Sequence, residues 1–199
     1  MKTSPPWILA SASPRRAEIL EMLGIAFDVQ PAHIDESVIP GEAPGEHVER
    51  LARGKAAAIS SLHPGRVVVA GDTVVTIDGE ILGKPVDEDE AVRMLLRLAG
   101  RGHEVFSALA VAEGTRSAGI LHSGVRSTRV HFRSFGEGTA RAYVETGEPM
   151  DKAGAYGIQG LGAVLVEGIE GDYTGVVGLP VPLLLELSAA IGFAYRFPK

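Results

Sequence analysis

Polar and cationic side chains are concentrated near the start of the chain, where they could bind an anion. Ser11, Ser13, Arg15 and Arg16 lie within six residues, directly after the apolar run 7–10. Ser13 precedes a proline, which predicts a helix start with a hydroxyl cap. Two arginines at the positive end of a helix dipole are disfavoured unless an anion compensates them. The segment therefore fits a phosphate site or, alternatively, two solvated arginines.

Four further charged residues could act on a phosphate: Glu36, Lys55, Asp72 and Lys84. Lys55 falls in the apolar stripe of a predicted helix, so it either snorkels to solvent or points into a cleft. Asp72 follows a buried run that predicts a strand, and it could bind a metal, accept a proton from water or form a turn. Glu36 is a second carboxylate in a predicted loop. Lys84 closes a predicted hairpin that could return its ammonium to the end of the Asp72 strand.

Several catalytic templates do not match this sequence. Residues 79–84 are one residue short of a Walker A loop and are followed by proline, where Ser or Thr must hold magnesium. Residues 157–162 lack the Gly-x-Gly-x-x-Gly order of a dinucleotide site. The histidines have no metal-binding spacing, no serine lies in a Gly-x-Ser-x-Gly motif, and cysteine is absent. What remains is phosphoryl chemistry with a metal bound mainly by substrate and carboxylates.

The composition is that of a globular protein. Its 199 residues are 45% hydrophobic and 22% charged, which suits one domain or two small lobes. The 19 basic and 25 acidic residues give a net charge of −6, which disfavours a protein that coats nucleic acid. No apolar run reaches the length of roughly 18 residues that spans a membrane. We therefore expect a soluble cytoplasmic protein with no nucleic-acid or membrane partner.

Hydrophobic periodicity predicts interleaved strands and helices. The predicted strands are residues 7–10, 27–30, 67–70, 74–77, 81–82, 105–112, 120–132 and 163–166. The predicted helices are residues 14–24, 46–62, 87–100, 139–145 and one starting near Pro180. Asp78-Gly79 predicts a hairpin turn, and Asp87 with Glu90 predicts a capping box. The order of these elements predicts a mixed α/β sheet flanked by helices.

Six ordered blocks resemble the signatures of the Maf family of nucleoside triphosphate pyrophosphatases. The first block is Leu9–Glu18, and the later blocks are Gly71–Val75, Gly83–Pro85, Gly100–His103, Asp151–Gly160 and Val177–Pro180. The resemblance covers nearly the whole chain. It implies a single Maf-like domain over residues 1–199, with the Maf/inosine-triphosphatase-like fold: an elongated mixed β-sheet flanked by helices, in two lobes with a cleft between them. It also implies a homodimer.

The resemblance also implies roles for individual residues. Asp72 matches the family's proposed proton acceptor, and Glu36 matches an active-site acid that could share a metal with it. Positions around the triphosphate are matched by Ser11, Ser13, Arg16, Lys55 and Lys84. Three positions that separate the subfamilies, Arg15, Thr73 and Gln159, look like the branch acting on dTTP and UTP, whereas the 7-methyl-GTP branch tends to carry Trp, Gln and Glu. Small departures are Gly71, Ser107 and Gly175, where alanine, threonine and asparagine are common.

The expected function is hydrolysis of dTTP and UTP to the monophosphate and pyrophosphate with a divalent metal, Mg or Mn. The amide of Gln159 suits a pyrimidine because it can both donate to and accept from the O4/N3 edge. Two alternatives stay open at this point. One is a non-catalytic nucleotide-binding regulator of cell division, and the other is a pyrophosphatase that removes modified nucleotides from the pool.

Overall fold

The computed structural model describes residues 5–114 and 120–198. Within these residues the strands are β1 (Trp7–Leu9), β2 (Phe27–Val29), β3 (Val67–Ile77), β4 (Glu80–Leu82), β5 (Gly102–Glu113), β6 (Leu121–Phe132) and β7 (Val166–Glu170). The α-helices are α1 (Pro14–Met22), α2 (Pro44–Ser60), α3 (Glu88–Leu98), α4 (Glu137–Val144), α5 (Tyr173–Val177) and α6 (Val181–Ala190). Three short 3-10 helices cover Glu148–Asp151, Ala153–Ala155 and Gly160–Leu165.

The strands form one mixed sheet. Its order is β2-β1-β3-β5-β6-β7, and β4 pairs with β3 outside this path. β1 pairs in parallel with both β2 and β3, whereas the pairs β3–β4 and β6–β7 are antiparallel. Parallel and antiparallel pairs in one sheet, with helices between strands in the chain, confirm the predicted mixed α/β class.

The chain divides into two compact units. The first contains Met1–Asp72, Ser107–Arg126 and Gly178–Lys199, and the second contains Thr73–Phe106 and Ser127–Val177. Large side chains fully buried in the first unit are Ile8, Leu9, Leu20, Val48, Leu51, Leu109, Leu179 and Leu184. The corresponding side chains of the second unit are Leu95, Leu98, Phe132 and Leu165. Each unit therefore has apolar side chains of its own for a core.

The first strand and helix form as the sequence predicts, with one correction. All three residues of β1 are buried, and α1 begins at Pro14 and ends before Gly24, whose φ of +68° suits glycine. Ser13 occupies the N-cap position, but its side chain makes no cap hydrogen bond, so the predicted hydroxyl cap is wrong. At this helix start it is the Ser11 hydroxyl oxygen that accepts a hydrogen bond, from the backbone N–H of Ser13 at 3.2 Å.

The strand that carries Asp72 is longer than predicted. Residues 67–70 and 74–77 are expected as separate strands, but β3 runs unbroken from Val67 to Ile77 and holds Asp72 near its middle. Gly71 lies within this strand, at a point where neighbouring atoms come close to the main chain. A Cβ at Gly71 would lie 2.9 Å from Leu109 Cδ2 and 3.0 Å from the carbonyl oxygen of Ala108. Asp72 is therefore a strand residue and neither forms a turn nor ends a strand.

The hairpin and the helix that follow β3 match their sequence signals. Asp78 and Gly79 have φ values of +55° and +81°, and they join the antiparallel pair β3–β4. Asp87 caps α3 by accepting the Glu90 N–H at 2.7 Å. The Glu90 carboxylate accepts from Val86 N–H, one residue before the position a capping box predicts.

Two elements near the carboxyl end differ from the prediction. The predicted strand 163–166 is wrong, because residues 160–165 form a 3-10 helix and β7 begins only at Val166. Gly160 and Gly162 in this segment allow the tight turns of a 3-10 helix, which the apolar run from Ala163 does not reveal. Helix α5 is not predicted at all, since five residues are too few for a helical period.

No helix within residues 5–114 and 120–198 combines the length and the apolarity needed to cross a membrane.

Candidate active site

Lys55 is the centre of the polar cluster in the first unit. Its Nζ lies 2.8 Å from Asp72 Oδ1 and 2.9 Å from Glu36 Oε1. Lys55 is only 7% exposed, and the side chains of Asp72 and Glu36 are 13% and 54% exposed. Of the two interpretations of Lys55, the structure excludes snorkelling to solvent, because the ammonium is buried between two carboxylates.

Three segments of the first unit, helix α2, strand β3 and the loop after β2, each supply one charged side chain to this cluster. Lys55 lies on the buried face of α2, and a buried ammonium is costly unless a counter-charge pairs with it. Asp72 supplies that charge from the middle of β3, and Glu36 supplies a second one from the loop after β2. Among the described residues of the first unit, Asp72 Oδ2 and Glu36 Oε2 accept no side-chain hydrogen bond. These two oxygens are therefore available to a ligand or a water.

The loop that carries Glu36 is anchored by Arg50. The Arg50 guanidinium donates to Glu42 Oε1 and Oε2 at 2.6 and 2.7 Å and to the Ser37 carbonyl at 3.0 Å. Hydrogen bonds from Arg50, and to a smaller extent from His47, hold the pKa of Glu42 at about 2. Helix α2 therefore fixes the Glu36 loop twice, through Lys55 and through Arg50. Sequence reasoning missed Arg50, because a Glu–Arg spacing of eight residues across a helix start matches no periodic pattern.

Arg16 lies next to this cluster and is itself buried, at 9% exposed. Its Nε donates to the Gly178 carbonyl at 2.8 Å, and its Nη1 donates to Ser11 Oγ at 2.9 Å. Burial lowers the pKa of the Arg16 guanidinium, and the charges of Asp72 and Glu36 oppose this effect. The same two carboxylates therefore act on both buried cations.

The remaining residues of the first motif surround Arg16. Ser11 is 8% exposed, and its hydroxyl oxygen accepts from Arg16 and from the Ser13 backbone. Its hydroxyl hydrogen can still donate to an anion. Arg15 and Ser13 are half-buried, and the charge of Arg15 contributes to the lowered pKa of Arg16. The structure thus brings Ser11, Arg16, Glu36, Lys55 and Asp72 together, with Ser13 and Arg15 at the edge of the group.

Thr73, Lys84 and Gln159 belong to the second unit. Side chains alternate along a strand, so Thr73 shares a face of β3 with Val75, whose side chain lies beneath Gly154. The Gly154 N–H donates to the Gly83 carbonyl at 3.0 Å, which joins the Lys84 loop to the segment that leads to Gln159. The three segments are therefore neighbours.

Two side chains in this part of the second unit are well placed for a ligand. Lys84 is exposed and Gln159 is half-buried. Among the residues that the structure describes, neither side chain has a hydrogen-bond or ion-pair partner. Both can therefore bind a ligand without first breaking a contact within the protein.

The donor set of the first unit suits a metal that arrives with a phosphate. No group of three or more His, Cys, Asp or Glu residues that could hold a metal ion occurs among residues 5–114 and 120–198. Mg²⁺ normally keeps several waters and binds through one or two carboxylates plus substrate phosphates. Asp72 and Glu36 supply two carboxylates, each within 3 Å of Lys55 Nζ, so they fit this kind of site and not an all-protein cage.

The arrangement can bind an anion beside a carboxylate that is free to accept a proton. Arg16, Lys55 and the Ser11 hydroxyl provide buried donors, and such donors bind anions more strongly than exposed ones. Asp72 lies among them with one oxygen held by Lys55. This combination is what attack of water on a phosphoanhydride requires.

Comparison with known proteins shows which family this chain belongs to. The family model described as "Maf-like protein" matches residues 6–191, so the chain belongs to the Maf family. A dTTP/UTP pyrophosphatase of Geobacter sulfurreducens is 51% identical over 93% of this chain and 96% of its own. A dTTP/UTP pyrophosphatase of Desulfotalea psychrophila is 50% identical over 93% and 94%. Among solved structures, a HAM1 protein from Coxiella burnetii aligns with a TM-score of 0.48 at 19% identity, over 94% of this chain and 98% of that one.

Proposed function

We propose that this protein is a nucleoside triphosphate pyrophosphatase that hydrolyses dTTP and UTP to the monophosphate and pyrophosphate. Relatives about 50% identical over nearly their whole length carry the name dTTP/UTP pyrophosphatase. The structural observation that carries the proposal is the buried Lys55, which holds Asp72 and Glu36 within 3 Å and lies beside Arg16.

The proposed step is a direct displacement at the α-phosphorus. The water oxygen forms a bond to the α-phosphorus, and the bond from that phosphorus to the α,β-bridging oxygen breaks. The bridging oxygen leaves with its electron pair as part of pyrophosphate. Asp72 accepts the proton of the water through the oxygen that Lys55 does not hold. Arg16 and Lys55 stabilise the negative charge that develops on the phosphates, and we propose the same role for Lys84.

A divalent cation, Mg or Mn, is proposed to accompany the triphosphate. Asp72 and Glu36 would hold it, with phosphate oxygens and waters completing its coordination. When bound, the ion would neutralise charge on the phosphates.

Base selection is assigned to Arg15, Thr73 and Gln159. The amide of Gln159 offers one donor and one acceptor, which suits O4 and N3 of thymine or uracil. Replacement of Gln159 by Glu removes the donor, so turnover of dTTP and UTP should fall relative to purine triphosphates. An unchanged substrate profile of the Gln159→Glu protein would contradict this assignment.

The proposed function is tested by a turnover screen across standard and modified triphosphates with Mg²⁺ or Mn²⁺. Both products are identified, since pyrophosphate plus monophosphate distinguishes this reaction from release of orthophosphate. Strongest turnover of dTTP and UTP supports the proposal, whereas stronger turnover of modified nucleotides indicates a role in cleaning the nucleotide pool. Absence of pyrophosphate with every triphosphate refutes the proposal and favours the regulator of cell division, which the names of the relatives do not favour.

We also propose a homodimer, located in the cytoplasm and without a nucleic-acid partner. The net charge of −6 supports the last point, because phosphate backbones repel an acidic protein. Light scattering of the purified protein gives the subunit number directly, and a monomer at micromolar concentration would contradict the dimer.

A further inference from the structure

The segment that carries Gln159 is held on both sides by two side chains that sequence reasoning did not single out. On the near side, the Gly157 N–H donates to the Tyr143 hydroxyl oxygen at 3.2 Å. On the far side, the N–H groups of Leu161 and Gly162 donate to Glu148 Oε2 and Oε1, each at 3.0 Å. Gln159 lies between these anchor points.

The two anchors form one unit, because the Tyr143 hydroxyl donates to Glu148 Oε1 at 2.8 Å. Lys152 adds to it by donating to the Glu148 carbonyl at 2.5 Å. Burial alone would raise the pKa of the Glu148 carboxyl, but the hydrogen bonds from Leu161, Gly162 and Tyr143 outweigh it, and the pKa lies below its ordinary value. Glu148 is therefore a carboxylate that is largely satisfied within the protein. We name this pair, Tyr143 with Glu148, the Tyr–Glu clamp.

The clamp fits the backbone around Gln159 so closely that side chains are excluded there. Gly160 has a φ of +69°, and a Cβ on it would lie 2.7 Å from Glu148 Oε2. A Cβ on Gly162 would lie 2.5 Å from the Tyr143 hydroxyl and would overlap the Gly157 carbonyl oxygen. Gly160 and Gly162, which follow Gln159, thus allow the carboxylate and the phenol to approach the main chain.

We propose that Glu148, supported by Tyr143, is a positioning residue that sets base selectivity by fixing the main chain on both sides of Gln159. The inference rests on the proposed function, since it takes Gln159 to read the base. Glu148 itself has no part in the cleavage step. Loss of the clamp leaves the Gln159 amide attached to a chain that can move, so donor and acceptor no longer meet the base at a fixed angle. Selectivity then falls more than the rate of bond cleavage.

The test compares Glu148→Ala, Glu148→Gln and Tyr143→Phe with wild type. We expect Glu148→Ala to lower the ratio of kcat/KM for dTTP to that for dGTP at least about 10-fold, mainly through KM. Glu148→Gln retains one carbonyl oxygen and should recover part of the selectivity. Tyr143→Phe should lower it in the same direction. Glu145→Gln is the matched control, because Glu145 is exposed one residue after α4 and should leave the ratio unchanged.

Ribose 5-triphosphate separates positioning from a general structural role, since it carries the phosphates without a base. If the clamp acts through Gln159, the loss of kcat/KM with ribose 5-triphosphate is several-fold smaller than the loss with dTTP. Equal losses on dTTP, dGTP and ribose 5-triphosphate overturn the inference and leave the proposed function intact. If wild type releases no pyrophosphate from any triphosphate, the proposed function fails and the inference fails with it. Should Glu148→Ala not fold, Glu148→Gln and Tyr143→Phe decide the question by the same ratios.

Discussion

Replacement of Asp72 by Asn separates the chemical role of this carboxylate from its structural one. In the structure, Asp72 Oδ1 accepts from the Lys55 ammonium at 2.8 Å, and the amide of the variant would retain a carbonyl oxygen at that position. The lost charge is partly replaced by Glu36, which remains 2.9 Å from the same ammonium. A hydrogen bond to a charged acceptor is worth roughly 1 kcal/mol more than one to a neutral acceptor, so we expect about 1 kcal/mol lower stability. In a chain of this length that corresponds to a fall in Tm of about 2–4 °C.

The expected effect of Asp72→Asn on rate is much larger. An amide cannot accept the proton of the attacking water, and general-base catalysis contributes roughly 100-fold to 10,000-fold. We therefore expect kcat for dTTP to fall at least about 100-fold while the protein stays folded. Pyrophosphate release measured at 25 °C gives the rate, and thermal unfolding followed by circular dichroism gives the stability. The two measurements together show whether activity is lost through chemistry or through unfolding.

Asp78→Asn is the matched control for this substitution. Asp78 lies in the turn after the same strand β3, pairs with Arg101 at the surface, and has a φ of +55° that asparagine tolerates well. We expect its activity to equal that of wild type and its stability to change little, because exposed ion pairs contribute little to stability. Normal turnover of Asp72→Asn, or an equal loss in both variants, would refute the proton-acceptor role.

Three further predictions concern contacts elsewhere in the two units. Arg50→Met should lower kcat about 3–10-fold, because it removes the hydrogen bond that holds the Glu36 loop. Arg53→Met on the same helix should leave kcat unchanged, and steady-state kinetics of both proteins checks the difference. Gly71→Ala should cost about 1–3 kcal/mol in urea unfolding, since its Cβ would collide with Leu109 and the Ala108 carbonyl, and unchanged stability would show that this packing is loose. Burial, with a contribution from His131, lowers the pKa of His103 to about 4. As the pH falls, this histidine is therefore protonated in the unfolded chain before it is protonated in the folded protein. Stability should therefore drop by about 3 kcal/mol between pH 6.5 and pH 4, and His103→Gln should lack this part of the slope in urea titrations.

The sequence predicts the parts of the fold whose signal is local. The apolar runs of β1 and β3, the turn at Asp78-Gly79 and the cap at Asp87 all lie where residue type and spacing place them. The errors occur where a tertiary contact overrides the local signal. Gly71 lies inside β3, where Leu109 and the Ala108 carbonyl come close to it, and no feature of the chain near residue 71 reveals that approach.

The candidate site also contains some residues that the sequence reveals and others that it does not. Lys55 is recognisable because a lysine in an apolar stripe needs a partner, and the structure supplies Asp72 and Glu36. Residues that hold the backbone of the site segments are not unusual for their position in the sequence. Arg50 and Glu148 are ordinary charged residues in sequence, and only the folded chain shows the backbone groups that they hold. Sequence reasoning therefore finds residues that are out of place in their own element, and it misses residues that act on a segment distant in the chain.

The boundary between the two units falls inside β3, between two of the proposed site residues. Asp72 is the last residue of the first unit's opening segment and Thr73 is the first residue of the second unit, although both belong to one unbroken strand. The proposed proton acceptor and a proposed specificity residue thus sit on one extended backbone, whose alternation turns them to opposite faces. Asp72 pairs with Lys55 of the first unit. Thr73 lies on the same strand face as Val75, which packs against Gly154 of the second unit. If Thr73 and Gln159 select the base as proposed, we expect substitutions at Thr73, Gln159 or the Tyr–Glu clamp to change base preference while the contacts of Lys55 with Asp72 and Glu36 stay the same.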